Sequence, residues 1–200
     1  MSNKQEELET LAQSQRFDIT GINERWWDES SDWNALLDGC KPFIRYRQGR
    51  RGPLMYAMQR LECMEEVTAG NNIPVRIKGQ TNNVDVIIGV YYRPPGQDYD
   101  VDKLFLDELR DTSKSTALVL MGNFNLPEIN CEHHTADTTW ARRFLKILDD
   151  NFMEQVLMEL TQKDALLDLL LVNGVDPVSE GDIGGCLGHS DHEVIEFEIL

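Results

Sequence analysis

The run "VDVIIGVYYRPPG", residues 84–96, constrains this chain more than any other segment. Its apolar residues are continuous rather than alternating, the pattern of a strand buried on both faces. Two prolines close it, and a residue without an N–H cannot extend a ladder. The next segment, "DVDKLFLDELRDTSK", places Val101, Leu104, Phe105 and Leu109 on one helical face. "TALVLMG" then reads as a second strand buried on both faces. Strands that alternate with helices in this way predict an α/β or α+β domain.

The other segments fit that frame. "NKQEELETLAQSQ", residues 3–15, sets Leu8, Leu11 and Ala12 against its acids as a surface helix, and "FDITGINE" reads as a strand ending at Glu24. Residues 26–40 hold three of the four tryptophans and read as a short helix stopped by Gly39. Between 42 and 79, "PLMYAM" and "IPVRIKG" look like strands with poor connections. "DTTWARRFLKILDDNF" has an Asp/Thr start and apolar residues at Trp140, Phe144, Leu145 and Leu148, so it is predicted helical. "ALLDLLLVNG" fits a strand by its length and Asn-Gly stop, and "EVIEFEIL" sets Val194, Ile195, Phe197 and Ile199 against three glutamates as a half-exposed terminal strand. Two hundred residues without a repeat or low-complexity linker predict one domain over 1–200.

The net charge of −16, from 35 acidic and 19 basic residues, repels nucleic acid and acidic membranes at long range. A polyanion must therefore be met locally or through a metal ion. The densest basic stretch is "KPFIRYRQGRRG", with Lys41, Arg45, Arg47, Arg50 and Arg51 uninterrupted by acids; it reads equally as a phosphate-contacting loop or as a solvated turn. Cys40, Cys63, Cys131 and Cys186 are scattered with no C-x-x-C pair, which excludes a zinc ribbon and suits a reducing compartment. The polar start and the lack of any membrane-length apolar run predict a soluble nuclear or cytoplasmic chain with no membrane partner.

Polar residues cluster where the strands end: Glu24, Asn123 with Asn125 in "MGNFN", Asp168 in "ALLDLLL", and Asp191 with His192 in "GHSDHEV". Asp168, inside an apolar strand, requires a partner, and a histidine is one candidate. As chemistry, Glu24 and Asp191 are hard oxygen donors suited to Mg²⁺, while His192, oriented by Asp168, can act as acid or base or stabilise a pentavalent phosphate. As structure, Asp and Asn end strands and start turns in any protein. Spacing leaves both readings open.

"DITGINERWWDES", "GVYYRPPGQD", "LVLMGNFN", "ALLDLLLVN" and "GCLGHSDHEVIEF", in this order, resemble the endonuclease domain of LINE-type non-LTR retrotransposons of the chicken-repeat clade. That domain belongs to the endonuclease/exonuclease/phosphatase superfamily. The resemblance implies a four-layered α/β sandwich, two mixed sheets flanked by helices. It also implies nicking of one DNA strand with Mg²⁺, or Mn²⁺ in its place, in an element that also encodes a reverse transcriptase. Carried over position by position, Glu24 and Asp191 match metal-site carboxylates and Tyr92 the tyrosine at the scissile phosphate. Asn125 matches the asparagine that orients the nucleophile or transition state, Asp168 the aspartate that orients the histidine, and His192 that histidine.

Three departures stand out. The resembling motif is Gly-Asp-x-Asn, and this chain has Asn123 where that aspartate positions or deprotonates water. An amide keeps the carboxylate shape but accepts no proton at neutral pH. Loss of a general base removes on the order of 10²- to 10⁴-fold in rate. The family's first core strand has no counterpart ahead of residues 3–15, and the segment between Arg51 and Val75 is shorter than the family's strand pair. The expectation is a DNA-nicking phosphodiesterase-like domain with impaired catalysis; the alternative is a non-catalytic domesticated or fossil domain with weak nucleic-acid or protein binding.

Overall fold

A computed structural model describes residues 3–23, 37–45, 52–68, 72–79, 84–114, 117–130, 133–157, 167–173, 178–179, 182–186 and 193–199. Its elements in chain order are helix α1 (Asn3–Gln15) and strands β1 (Ile19–Ile22), β2 (Cys40–Ile44), β3 (Leu54–Met58), β4 (Cys63–Glu65), β5 (Asn72–Ile77) and β6 (Val86–Tyr92). Helix α2 (Tyr99–Thr112), strand β7 (Ala117–Asn123), helix α3 (Thr139–Asp150), β8 (Met153–Gln155), β9 (Asp168–Asn173), β10 (Asp182–Cys186) and β11 (Glu193–Glu196) follow.

The doubly buried runs form the centre of a six-stranded sheet ordered β4-β5-β6-β7-β9-β8. β6 and β7 are parallel, as the intervening helix requires, and the remaining pairs are antiparallel. Alternation splits each run between two cores. Ile87, Tyr91, Leu118, Leu120, Leu169 and Leu171 face α2 and α3, meeting Phe105, Leu109, Phe144 and Leu148. Ile88, Val90, Val119, Leu170 and Val172 face the other way, onto Phe43, Met55 and Ala57 of a second sheet.

That second sheet has the order β1-β3-β2, all antiparallel. Its outer residues Cys40, Leu54 and Tyr56 pack with Ala12 of α1. The layers therefore run α1, three-stranded sheet, six-stranded sheet, α2 with α3, the four-layered sandwich that the resemblance implies. Gly21 of β1 lets the sheets approach: a Cβ there would stand 2.8 Å from Val90 Cγ2 and 3.0 Å from Met121 Sδ. The β10–β11 hairpin lies in the same layer as the three-stranded sheet, with Ile183, Ile195 and Phe197 packed on the inter-sheet core. Among the described residues it forms a sheet of its own.

Some expectations require correction. On α2, Leu104 is exposed and Leu106 is buried, because the helix is rotated to bury Asp102, which bonds Arg93. β1 ends at Ile22 rather than Glu24. The helix expected over 26–40 falls largely on residues outside those described; Asp38 and Gly39 form a turn, Gly39 at φ +76°, and Cys40 opens β2. The supposed loop at Lys41 is likewise part of β2, where Lys41 covers the Phe43 ring at 4.8 Å.

Candidate functional site

Three predicted site residues form one row across the large sheet. Tyr92, the last residue of β6, is in register with Asn123, the last of β7, which is in register with Asp168, the first of β9. The antiparallel β9 begins where the parallel strands end, so adjacent members of the row are about 5 Å apart, one strand spacing. Alternation puts all three on the face that carries Val90, Met121 and Leu170, toward the second sheet. Asn123 and Asp168 are buried and Tyr92 is half-buried. The row thus lies at one rim of the large sheet, on the face turned to the second sheet.

Asn23, one residue beyond β1, enters from the facing sheet. Its Nδ2 donates to Asp168 Oδ1 at 3.2 Å. This supplies the partner that a buried carboxylate requires, and it comes from an amide 145 residues away. Its adjacency to Glu24 is the only hint that sequence offered. Asn23 thereby ties the end of β1 to the rim where Asp168 lies.

Gly122 and the residues after it set the loop beyond β7. Gly122 has φ +148°, and a Cβ on it would lie 1.9 Å from the Tyr91 carbonyl oxygen. Phe124 is wholly buried among Tyr91, Phe105 and Phe144, with ring centroids 5.1, 6.1 and 5.2 Å away. Its N–H donates to Leu167 O at 3.0 Å, and the Arg93 N–H donates to Asn123 O at 2.8 Å. Leu126 is also buried. Asn125, between two anchors, takes the left-handed φ of +49°, a conformation asparagine tolerates better than most residues. The Phe124 spacer thus separates two asparagines with different surroundings: Asn123 buried within the ladder, Asn125 half-buried beyond it.

Glu24, Asp191, His192, Arg47, Arg50 and Arg51 lie outside the described residues. Arg45 is described, and its guanidinium is engaged with the β4–β5 edge: Nε donates to Asn72 O at 3.4 Å, Nη2 donates to Thr68 Oγ1 at 3.4 Å, and Glu65 lies 3.9 Å away. Among the described residues, no three His, Cys, Asp or Glu side chains gather so as to hold a metal ion. The described part of the site offers three amides (Asn23, Asn123 and Asn125), the Tyr92 phenol and the Asp168 carboxylate. These can orient a phosphate by hydrogen bonds but bring only a single negative charge.

A mixed six-stranded sheet backed by helices on one side and a second sheet on the other is the arrangement this chain shares with solved structures of the endonuclease/exonuclease/phosphatase fold. Among solved structures it is similar to the endonuclease domain of TRAS1, a telomere-specific non-LTR retrotransposon, with a TM-score of 0.76 and 15% identity over 100% of this chain and 93% of that one. It is also similar to the 3′ phosphatase NExo from Neisseria bound to a product DNA hairpin (TM-score 0.68, 15% identity, 97% and 93% covered). An AP endonuclease from Archaeoglobus fulgidus gives 0.67 and 15% over 98% and 93%. At such identities the likeness establishes the fold. No protein-family model and no curated protein matches the chain.

Proposed function

We propose that this chain is a phosphodiesterase-like domain of the retrotransposon-endonuclease type, directed at DNA, whose catalysis is impaired. The observation that carries the proposal is Asn123 at the centre of the row formed with Tyr92 and Asp168. In this reading Tyr92 and Asn125 orient a phosphate, Asp168 orients His192, and the arginines at 47, 50 and 51 contact the nucleic-acid backbone, Arg45 being engaged at the β4–β5 edge. The described donors do not make a metal site by themselves, so a divalent ion, Mg²⁺ or Mn²⁺, would rest on Glu24 and Asp191, hard carboxylate ligands of the kind it needs. Bound there, it would supply charge neutralisation at the phosphate. Asn123 can donate to or accept from a water but cannot remove its proton. The parent element would contribute the reverse transcriptase that uses the nick.

The same observation supports the runner-up, a fold retained for weak nucleic-acid or protein binding without turnover. Plasmid nicking separates them. In Mg²⁺ the unmodified chain should nick supercoiled DNA weakly, with the residual activity lost in His192→Ala. Asn123→Asp should raise the rate without restoring that of an intact enzyme. Robust nicking by the unmodified chain, abolished by His192→Ala, would overturn the assignment of impairment. No nicking by either the unmodified chain or Asn123→Asp would favour the binding-only reading.

A further inference from the structure

We propose that Arg93 is a positioning residue for Asn125, held in place by Asp102 and Gln97. The inference rests on the reading of Asn125 as a site residue. Arg93 follows Tyr92 directly and is the arginine of "YYRPPG". Its Nε donates to Asp102 Oδ1 at 3.0 Å and its Nη2 to Asp102 Oδ2 at 2.9 Å, a two-pronged pair. Both side chains are largely out of water, 15% and 4% exposed. Gln97 Nε2 donates to Asp102 Oδ1 at 2.7 Å and to the Tyr91 hydroxyl at 3.1 Å. Trp140 covers the guanidinium at 4.6 Å.

Burying an ion pair this fully costs desolvation that the attraction barely offsets, so net stability is a poor reason for the arrangement. What a forked, stacked guanidinium provides is fixed direction. With two N–H groups on Asp102, the remaining Nη1 is set 3.5 Å from the Asn125 carbonyl oxygen, to which it donates. The Arg93 backbone N–H meanwhile donates to Asn123 O at 2.8 Å. One residue therefore grips the loop on both sides of Phe124, and the carbonyl it holds belongs to the residue in the left-handed conformation. Lysine keeps the charge but has no fork to reach Asp102 and Asn125 together.

The test reads loop geometry, not DNA cleavage, so it stands apart from whether the chain nicks. In Arg93→Lys, with a cooperative melt retained, backbone amide exchange at residues 124–126 should rise about tenfold or more. The Asn125 side-chain amide resonances should shift while exchange at Val90 and Leu120 stays as in the parent. A merely structural role would lower the melting temperature and raise exchange at 124–126 no more than at Val90 and Leu120; that result in a folded Arg93→Lys would overturn the proposal. If the variant fails to fold, the unmodified chain decides. Its Arg93 Nε–H should exchange slowly and show contacts to the Trp140 ring, and exchange at the rate of an exposed guanidinium would refute the clamp.

Discussion

Replacing Gly122 by alanine tests whether the β6–β7 ladder and the site share one constraint. A Cβ at this position would meet three backbone atoms of Tyr91: O at 1.9 Å, C at 2.8 Å and N at 2.9 Å. No rotamer change relieves a backbone contact, so β7 must move away from β6 at the register pair Tyr91–Gly122. Overpacking of this kind costs about 1–3 kcal/mol. The φ of +148° adds about 1–3 kcal/mol for any residue with a side chain. The expected loss is then roughly 2–6 kcal/mol, a large share of a domain's usual 5–15 kcal/mol. Urea unfolding followed by tryptophan fluorescence and circular dichroism would measure it as a lowered midpoint at unchanged slope. Because Asn123 is the next residue, its side-chain amide resonances should move in whatever fraction stays folded. A loss below about 1 kcal/mol would show that the strand end is not held as tightly as these distances require.

Two further outcomes follow from the same geometry. Asn23→Ala removes the amide donor to Asp168 Oδ1, and since hydrogen bonds to charged groups contribute about 1.5–3 kcal/mol, the urea midpoint should fall correspondingly, whereas Asn23→Asp should cost more by facing carboxylate to carboxylate. Burial, with Asp18 and Asp38 adding to it, pushes the Cys40 thiol up, and burial pushes up Cys63 against the opposing charge of Lys41. The thiolate is the reactive form, so maleimide at neutral pH should label exposed Cys186 well before Cys40 and Cys63, and the lag should shrink as pH rises.

The central strands β6, β7 and β9 of the large sheet were legible, whereas β4 and β8, three residues each, are too short to show a pattern. "VDVIIGVYY" and "TALVLMG" are apolar without alternation, which only a strand covered on both faces tolerates, and Thr138 caps α3 where the Asp/Thr start placed it. Leu104 was misassigned because helical spacing alone admits neighbouring faces, and the choice was made by Asp102 turning inward to Arg93, a pairing between an acid on α2 and the residue after β6. β2 was hidden because its "CKPFI" mixes a lysine and a proline into a strand that gains its order from β3. At the site, Asn123 and Asp168 were visible as polar residues at strand ends, Tyr92 was supplied only by the resemblance, and register made the three a row. Asn23 was not visible, since its role depends on a sheet-to-sheet contact that no local pattern encodes.

The two sheets draw on the chain in a nested way. The large sheet with α2 and α3 uses a continuous stretch, 63–173, while the layer over its other face is assembled from 19–58 and 182–196. A fragment trimmed to the middle of the chain would keep its helices and lay bare Ile73, Val75, Ile88, Val90, Val119, Leu170 and Val172 on one side. Such a face is an adhesive surface in water. Limited digestion that removes the flanks should therefore yield precipitate instead of a soluble minidomain, and the same vulnerability applies during synthesis, when the middle emerges before the last hairpin can cover it.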